Sequence, residues 1–481
     1  MQQRQAVLAD AAALVCPREH RLPDASSSLD TEWRLAVFDA LKSGNATYYN
    51  VCNLGEVLTA SKVFTSAEKG AMSDSVIIAG ALRPPQRNAV QMAEFGEQWN
   101  RYKCDVIIKA SFPRLYRSVP SGLIDGLDAE VMLYDFLTQL VRERVTPNLV
   151  TALGDFECTF RQLAENQTPQ AILRPLLSET TRVYAANGIE PQDDDSVRLL
   201  VLERGRGTSL ASLLEQRQLS EAQLVSLLAQ ILYTLDALNE RHVRHGDLHM
   251  GNVFVDRLSD KSTLINYVPN PGQSSRYLAV PTFGLVAKLY DWDWGGVYAA
   301  EEVRQRWPRP PRSIVNAVAV SNCRETSACG NNPKADVFTL LSAVYDALMQ
   351  SGQAKQMPNV VQFLRDVIDP RLLAYASPLS PSNFDRSGGF MYRLCGGALA
   401  DVCSPPEVDI RTGRGCSDPQ GWRPDDCYIR PTFAMLQHPL FASFLRDYTE
   451  QEFIGPYVFG DWPSQKVAEE TFTIAASMQE D

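Results

Sequence analysis

Two polar side chains that could take part in catalysis lie five residues apart in the segment HGDLHMGN. Asp247 can accept a proton from a hydroxyl group, and the amide oxygen of Asn252 can ligate a hard cation such as Mg²⁺. The chain has five histidines, and three of them fall within eight residues here: His242, His245 and His249. This concentration of polar groups favours a reaction centre over an ordinary capping loop.

A second acid and a lysine complete the candidate site. Asp291 directly follows the strand-like run LVAKLY, so its carboxylate is a further candidate ligand for Mg²⁺, with Asp293 as the alternative. Lys109 ends the strand-like run DVIIK, and a cation there is suited to holding phosphate oxygens. Glu130 on the following helix is expected to hold the lysine, with Asp135 as the alternative acid.

Hydrophobic periodicity predicts the elements that position these groups. Short β-like runs fill residues 47–109, a helix is expected over Asp128 to Glu143, and VRLLVLE predicts a further strand. Ser220 and Gln223 form a capping box before a long leucine-rich helix that leads into HGDLHMGN. NVFV and LVAKLYDWD are expected to pair as strands. Two further helices are predicted over DVFTLLSAVYDALM and PTFAMLQHPLFASFL.

The β-rich first part and the mostly helical second part predict an α+β protein with two regions that meet near Glu203. The predicted boundaries are a helical extension over 1–44, the β-rich region over 45–203, the helical region over 204–450 and a C-terminal tail over 451–481. A Gly/Pro/Ser-rich stretch at about 370–428 predicts an insertion or a long loop.

Composition argues against several classes of protein. The formal charge of −11 disfavours a broad nucleic-acid surface, so no nucleic-acid partner is expected. No apolar run reaches the roughly 18 residues of a membrane span. The run AVLADAAALVC is interrupted by Asp10, so we expect no signal peptide and an intracellular protein. Irregular cysteine spacing predicts reduced thiols, with one alternative, a metal clip of Cys395, Cys403, Cys416 and Cys427.

Lys109 in VIIK, Glu130 in the next helix, HGDLHMGN and DWD at 291–293 together resemble the signature set of protein kinases. The resemblance covers roughly residues 45–445 and is most specific in HGDLHMGN. Within that superfamily the chain is most similar to the divergent kinases of large nucleocytoplasmic DNA viruses, through EVMLYDFLTQLVRERVTPNLV and YLAVPTFG. HGDLHMGN also resembles haspin-like kinases and small-molecule phosphotransferases. The resemblance implies a bilobal protein-kinase-like fold, with a β-rich N-lobe, a mostly helical C-lobe and insertions.

The resemblance also implies ATP and Mg²⁺ as cofactors and a role for each residue of the candidate site. Asp247 would be the catalytic base that orients and deprotonates the acceptor hydroxyl. Asn252 and Asp291 would hold the metal ions and so help to bind the nucleotide. Lys109 would contact the α- and β-phosphates, and Glu130 would pair with it.

Five further positions take roles from the same resemblance. His245 stands at the histidine of the HRD triplet, while Gly55 and Glu203 are predicted nucleotide-binding positions. Asp336 resembles the helix aspartate that braces the catalytic loop, although an acid that only stabilises a helix N-terminus is an alternative. Arg430 resembles the late arginine that locks the helical lobe, a feature typical of protein kinases, although a surface arginine is the alternative.

The chain departs from the family pattern in several places. Gly55 is the only glycine at the expected place in the nucleotide-covering loop, Gly246 replaces the arginine of HRD, and His249 stands where Ser/Thr kinases carry a lysine. Trp292 and Asp293 replace the last two residues of DFG, and no clear APE motif follows.

The prediction is therefore an ATP-dependent kinase that phosphorylates Ser/Thr hydroxyls of a protein substrate. A viral protein of this kind would act in the host cytoplasm or the virion. The alternatives are a small-molecule phosphotransferase and a catalytically weak pseudokinase scaffold.

Overall fold

A computed structural model of the chain describes residues 58–64, 75–82, 105–116, 126–165, 170–186, 188–205, 207–241, 243–245, 248–258, 261–268, 276–292, 295–297, 335–368, 432–447 and 458–460. The chain divides into two compact units. The first is formed by residues up to 138 together with 150–205, and the second by 139–149 together with the residues from 206 onward. Both combine helices with mainly antiparallel strands, so the fold class is α+β, as the sequence predicts.

The first unit is built on a sheet of five antiparallel strands in the order β1-β2-β3-β5-β4. These strands are β1 (Leu58–Phe64), β2 (Val76–Leu82), β3 (Asp105–Ser111), β4 (Ala152–Thr159) and β5 (Ser196–Glu203). In β3, the apolar residues Val106, Ile108 and Ala110 are buried, as the period of a strand requires. β3 continues to Ser111, so the prediction that Lys109 is the last strand residue was wrong by two positions.

Three helices accompany this sheet: α1 (Gly126–Arg142), α2 (Phe160–Glu165) and α3 (Gln170–Ala186). α1 begins two residues before the predicted start at Asp128 and ends one residue before the predicted end at Glu143. The sequence pattern indicated no helix over α2 and α3. α3 contains Pro175, and a proline inside a segment usually breaks a helix. Tyr184 of α3 packs edge-to-face on Phe112, with ring centroids 5.2 Å apart. This tertiary contact was not visible in the sequence.

The second unit contains more sheet than the sequence indicated. Its strands are β6 (Thr208–Ser209), β7 (Val243–Arg244), β8 (Val253–Arg257), β9 (Leu264–Val268), β10 (Arg276–Pro281), β11 (Leu285–Leu289), β12 (Gly296–Val297), β13 (Leu445–Asp447) and β14 (Val458–Gly460). Among the described residues they form three small sheets, ordered β13-β10-β9-β14, β11-β8-β6 and β12-β7. The pair of β9 with β14 is parallel, and the other pairs are antiparallel.

The helices of the second unit pack around one long buried helix. They are α4 (Leu210–Glu215), α5 (Glu221–Glu240), α6 (Ala335–Gln350), α7 (Pro358–Val367) and α8 (Thr432–Leu436). The predicted capping box at the start of α5 is confirmed, because Ser220 and Gln223 exchange side-chain to backbone hydrogen bonds. Ser226, Gln230 and Thr234 are buried as well as the leucine face, so α5 lies inside the unit. No helix in the described ranges is long and apolar enough to cross a membrane.

The helix predicted over PTFAMLQHPLFASFL was too long. α8 ends at Leu436, and a 3₁₀ turn over Pro439–Phe441 and strand β13 follow it. Pro439 has no backbone N–H and disfavours helical geometry at the preceding residue, which explains the early end. His438 caps the 3₁₀ turn, since its Nδ1 accepts a hydrogen bond from the Leu440 N–H at 3.1 Å.

Candidate functional site

The candidate site residues fall in both units. In the first unit, the ammonium group of Lys109 on β3 lies 2.8 and 3.0 Å from the two carboxylate oxygens of Glu130 on α1. Lys109 is 7% exposed and Glu130 is 5% exposed, so both charges are removed from water. Asp135, the alternative partner, is exposed. The ion pair is therefore observed, and its role in phosphate binding stays a prediction.

Glu203 is the last residue of β5 and is buried. Its backbone N–H donates to the Thr151 carbonyl at 3.0 Å, and the next N–H, of Arg204, donates to the Asp105 carbonyl at 3.1 Å. These bonds hold the end of β5 between its neighbouring segments. The nucleotide-binding roles of Glu203 and of Gly55 stay predictions, and Gly55 lies outside the described residues.

In the second unit, the two candidate metal ligands lie at one end of a strand pair. β8 and β11 are antiparallel, with Val253 opposite Leu289, which confirms the strand pair predicted from NVFV and LVAKLYDWD. The Tyr290 N–H donates to the Asn252 carbonyl at 3.2 Å, so the pairing continues one residue further. Asn252 directly precedes β8, and Asp291 follows β11 after Tyr290. The antiparallel register therefore places the backbones of Asn252 and Asp291 at the same end of this strand pair.

The backbone of Asp291 is strained. Its φ of 65° is left-handed, and within the described ranges only three other non-glycine residues have a positive φ. A left-handed non-glycine residue costs about 1–3 kcal/mol, and such strain is concentrated at functional sites. The next residue, Trp292, is fully buried and packs against His245 in a tilted ring contact, with centroids 4.4 Å apart. The buried side chain of Trp292 therefore fixes the position of the segment next to Asp291. The alternative ligand, Asp293, lies outside the described residues.

His245 connects helix α6 to the segment that carries Asp291. Its backbone N–H donates to the carboxylate of Asp336 at 2.7 Å, in the first turn of α6. Its ring Nε2 lies 2.8 Å from the Tyr290 carbonyl oxygen, and the ring N–H is the donor because a carbonyl can only accept. All of His245 is buried. The contact expected of a bracing aspartate at Asp336 is therefore present.

This contact predicts a stability effect. Asp336→Ala leaves the buried His245 N–H without its acceptor, so we expect a loss of about 1–3 kcal/mol in the free energy of unfolding. Asp336→Asn retains an acceptor oxygen and should lose less. Urea denaturation of the two variants measures both values. An equal loss in both would instead favour the alternative, in which only the charge at the helix N-terminus matters.

The side chain of Tyr290 links the end of β11 to the turn before β8 by a hydrogen bond. Its hydroxyl donates to the Gly251 carbonyl at 2.6 Å. Burial, followed by the negative charge of Asp291, raises the pKa of Tyr290 to about 12. A tyrosine with its ordinary pKa is protonated at neutral pH as well, and the raised pKa extends the pH range in which this hydroxyl remains a hydrogen-bond donor. The sequence pattern singled out neither this role nor the ring contact of Trp292, because both depend on side chains distant along the chain.

His249 caps the short 3₁₀ turn Met250–Asn252. Its Nδ1 accepts a hydrogen bond from the Gly251 N–H at 3.0 Å. The family resemblance marked this position only as a departure, at the place of a lysine. The observed contact gives His249 a structural task within the turn that carries Asn252.

Several predicted site residues lie outside the described residues: His242, Gly246, Asp247, Asp293, Arg430 and the cysteines at 395, 403, 416 and 427. Among the residues that the structure describes, no group of three or more His, Cys, Asp or Glu side chains is arranged to hold a metal ion. The oxygen donors of Asn252 and Asp291 suit Mg²⁺, which proteins commonly hold through one or two side chains together with phosphates and water. In comparisons with known proteins, the chain matches no family model and no curated protein.

Proposed function

We propose that this chain is an ATP- and Mg²⁺-dependent protein kinase that transfers the γ-phosphoryl group to Ser or Thr hydroxyls. The first unit would be the N-lobe and the second the C-lobe of a bilobal protein-kinase-like fold. The observation that supports this most is the common end of β8 and β11. Because of that register, two oxygen ligands come from neighbouring backbone positions, and Asp247 lies five residues before one of them in the chain.

The residues of each unit have separate tasks in this proposal. Lys109, with its charge held by Glu130, would neutralise phosphate oxygens of the nucleotide. Asp247 would orient the acceptor hydroxyl and accept its proton. Asn252 and Asp291 would hold Mg²⁺, which when bound supplies positive charge to the transferring phosphoryl group. Phosphoryl transfer has a loose transition state, so positioning and charge neutralisation account for most of the catalysis.

Nucleotide binding is the first test. A ligand at about 100 times its Kd should add about 2.7 kcal/mol to the free energy of unfolding, so Mg-ATP should raise the melting temperature clearly. Asp291→Asn should reduce this shift, because the substitution removes one anionic ligand. The control is Mg²⁺ without nucleotide. If the intact chain shows no shift with Mg-ATP, and no autophosphorylation, the result favours a pseudokinase scaffold.

The acceptor is the second test. Labelled ATP is incubated with the chain and either a mixture of proteins or a panel of small hydroxylated compounds. We expect label on Ser and Thr of proteins, and at least ~10²-fold slower labelling with the Asp247→Asn variant. Label on small compounds alone would contradict the protein-kinase proposal and favour a small-molecule phosphotransferase.

A further inference from the structure

We infer that His249 is a positioning residue for metal binding, which fixes the turn carrying Asn252 against the segment carrying Asp291. This inference rests on the proposed function, since it concerns the same site. The role differs from that of the lysine expected at this position, which would point toward the nucleotide. His249 would act through the turn and not through contact with a reactant.

The first observation is the cap. His249 has an extended backbone, with φ −119° and ψ 170°, and stands at the N-cap position of the turn Met250–Asn252. The first N–H groups of a helical turn have no partner within it, so an acceptor at the N-cap satisfies one of them. Here the imidazole Nδ1 accepts from the Gly251 N–H at 3.0 Å, and the His249 carbonyl accepts from the Asn252 N–H at 2.9 Å. His249 therefore holds both residues after Met250.

The second observation is the space around Gly251. A Cβ atom at this position would lie 2.6 Å from Cε1 and 2.8 Å from Nδ1 of His249. The φ of Gly251 is not left-handed, so the backbone conformation does not require glycine. A side chain at position 251 would displace the imidazole ring, so the observed cap is compatible with glycine there. His249 and Gly251 thus form one structural unit.

The third observation is the connection to Asp291. The backbone of Gly251 is held at both of its polar groups: its N–H donates to His249 Nδ1, and its carbonyl accepts from the Tyr290 hydroxyl 2.6 Å away. The Tyr290 N–H also donates to the Asn252 carbonyl. Mg²⁺ demands near-ideal octahedral geometry, so a loosened turn should weaken its binding. Residues that orient metal ligands typically contribute about 10–100-fold to metal affinity.

The second unit also contains a matched control. His438 caps the 3₁₀ turn Pro439–Phe441 by the same chemistry, with Nδ1 accepting from the Leu440 N–H at 3.1 Å. That turn carries no candidate metal ligand. His438 Nε2 also lies 3.1 Å from the Asp366 carboxylate, and the ring packs edge-to-face on Phe363. Replacement of His438 should therefore cost at least as much stability as replacement of His249. A His438→Leu variant therefore separates the stability of a cap from an effect on metal binding.

The experiment measures Mn²⁺ binding by electron paramagnetic resonance in the presence of a non-hydrolysable ATP analogue. We expect His249→Leu to weaken Mn²⁺ binding about 10–100-fold. His249→Asn should restore most of it, since asparagine is a good N-cap acceptor. Tyr290→Phe should weaken it in the same direction, and His438→Leu should leave it unchanged. Hydrogen exchange of the metal-free protein should be faster over residues 249–252 in His249→Leu.

A double-mutant cycle tests the unit formed by His249 and Gly251. Gly251→Ala should displace the ring and reproduce the loss of Mn²⁺ affinity, and the double variant should be little worse than either single variant. Additive losses would argue against a shared unit and overturn this part of the inference.

Two results would overturn the inference as a whole. The first is wild-type Mn²⁺ affinity in His249→Leu, and the second is an equal loss of affinity in His438→Leu. In the first case, a fall in turnover of His249→Leu without rescue by His249→Asn would indicate contact with a reactant. Failure of the wild-type chain to bind Mn²⁺ with the nucleotide is a separate outcome, since it refutes the proposed function itself.

Discussion

Replacement of Asp247 by Asn is expected to lower turnover by at least ~10²-fold, because a positioned base typically contributes ~10²–10⁴-fold. Asparagine keeps the size of the side chain and one acceptor oxygen, but it cannot accept the proton of the acceptor hydroxyl. Binding of Mg-ATP should remain nearly intact, since Asp247 is not a proposed metal ligand. Turnover is measured with labelled ATP, and binding by the thermal shift with Mg-ATP.

Asp291→Asn is the control for this prediction. It removes a proposed anionic metal ligand, so it should weaken Mg-ATP binding as well as turnover. The two variants thus separate proton transfer from metal binding. Unchanged activity in Asp247→Asn would refute the assignment of the base, and with it the central part of the proposed mechanism.

The second large effect is expected at the buried ion pair of the first unit. Glu130→Ala leaves the Lys109 ammonium group buried without its counter-charge, a change that typically costs about 3–5 kcal/mol. Both side chains are at most 9% exposed, so solvent screening does little to reduce this cost. Chemical denaturation with a probe in the first unit measures the loss. Asp135→Ala on the same helix is the matched control, because its side chain is exposed and interactions of an exposed charge are typically worth about 1 kcal/mol or less.

A double substitution separates the structural role of the pair from its proposed role in catalysis. Replacing a buried ion pair by apolar side chains of similar size is often neutral or stabilising. Lys109→Met combined with Glu130→Leu should therefore recover much of the stability lost in Glu130→Ala. The same double variant should have no kinase activity, because the proposed phosphate contact is gone. A stable and fully active double variant would contradict the role given to Lys109.

Patterns between near neighbours in the chain predicted many of the observed elements. The capping box of α5 is an example, because Ser220 and Gln223 satisfy each other's backbone groups across a single turn. Strand β3 and the strand pair β8–β11 are others, since hydrophobic period and strand length are properties of short segments. Residue types in HGDLHMGN and KLYDWD were enough to nominate Asn252 and Asp291 as oxygen ligands.

Contacts between distant segments decided the remaining features. Residues 139–149 belong to the second unit, where the Asn148 amide donates to the Ala287 carbonyl at 2.7 Å and to the Gln230 side chain at 3.1 Å. Leu149 pairs with Leu289, directly before the segment of Asp291. No local pattern predicts these bonds, because the hydrophobic period of a segment reports that one face is buried but not which partner covers it.

The two hydrogen bonds to the backbone of Gly251 could not be predicted from the sequence for the same reason, since one of them comes from a distant segment. His249 was visible as an unusual residue and Tyr290 as part of an apolar run, and neither pattern indicated that both bind the backbone of Gly251. The hydrogen bond of Tyr290 joins positions 39 residues apart in the chain, and only the antiparallel register of β8 and β11 brings them together. Residue types nominate the ligands of the candidate site, and long-range pairing sets the backbone geometry in which they are held.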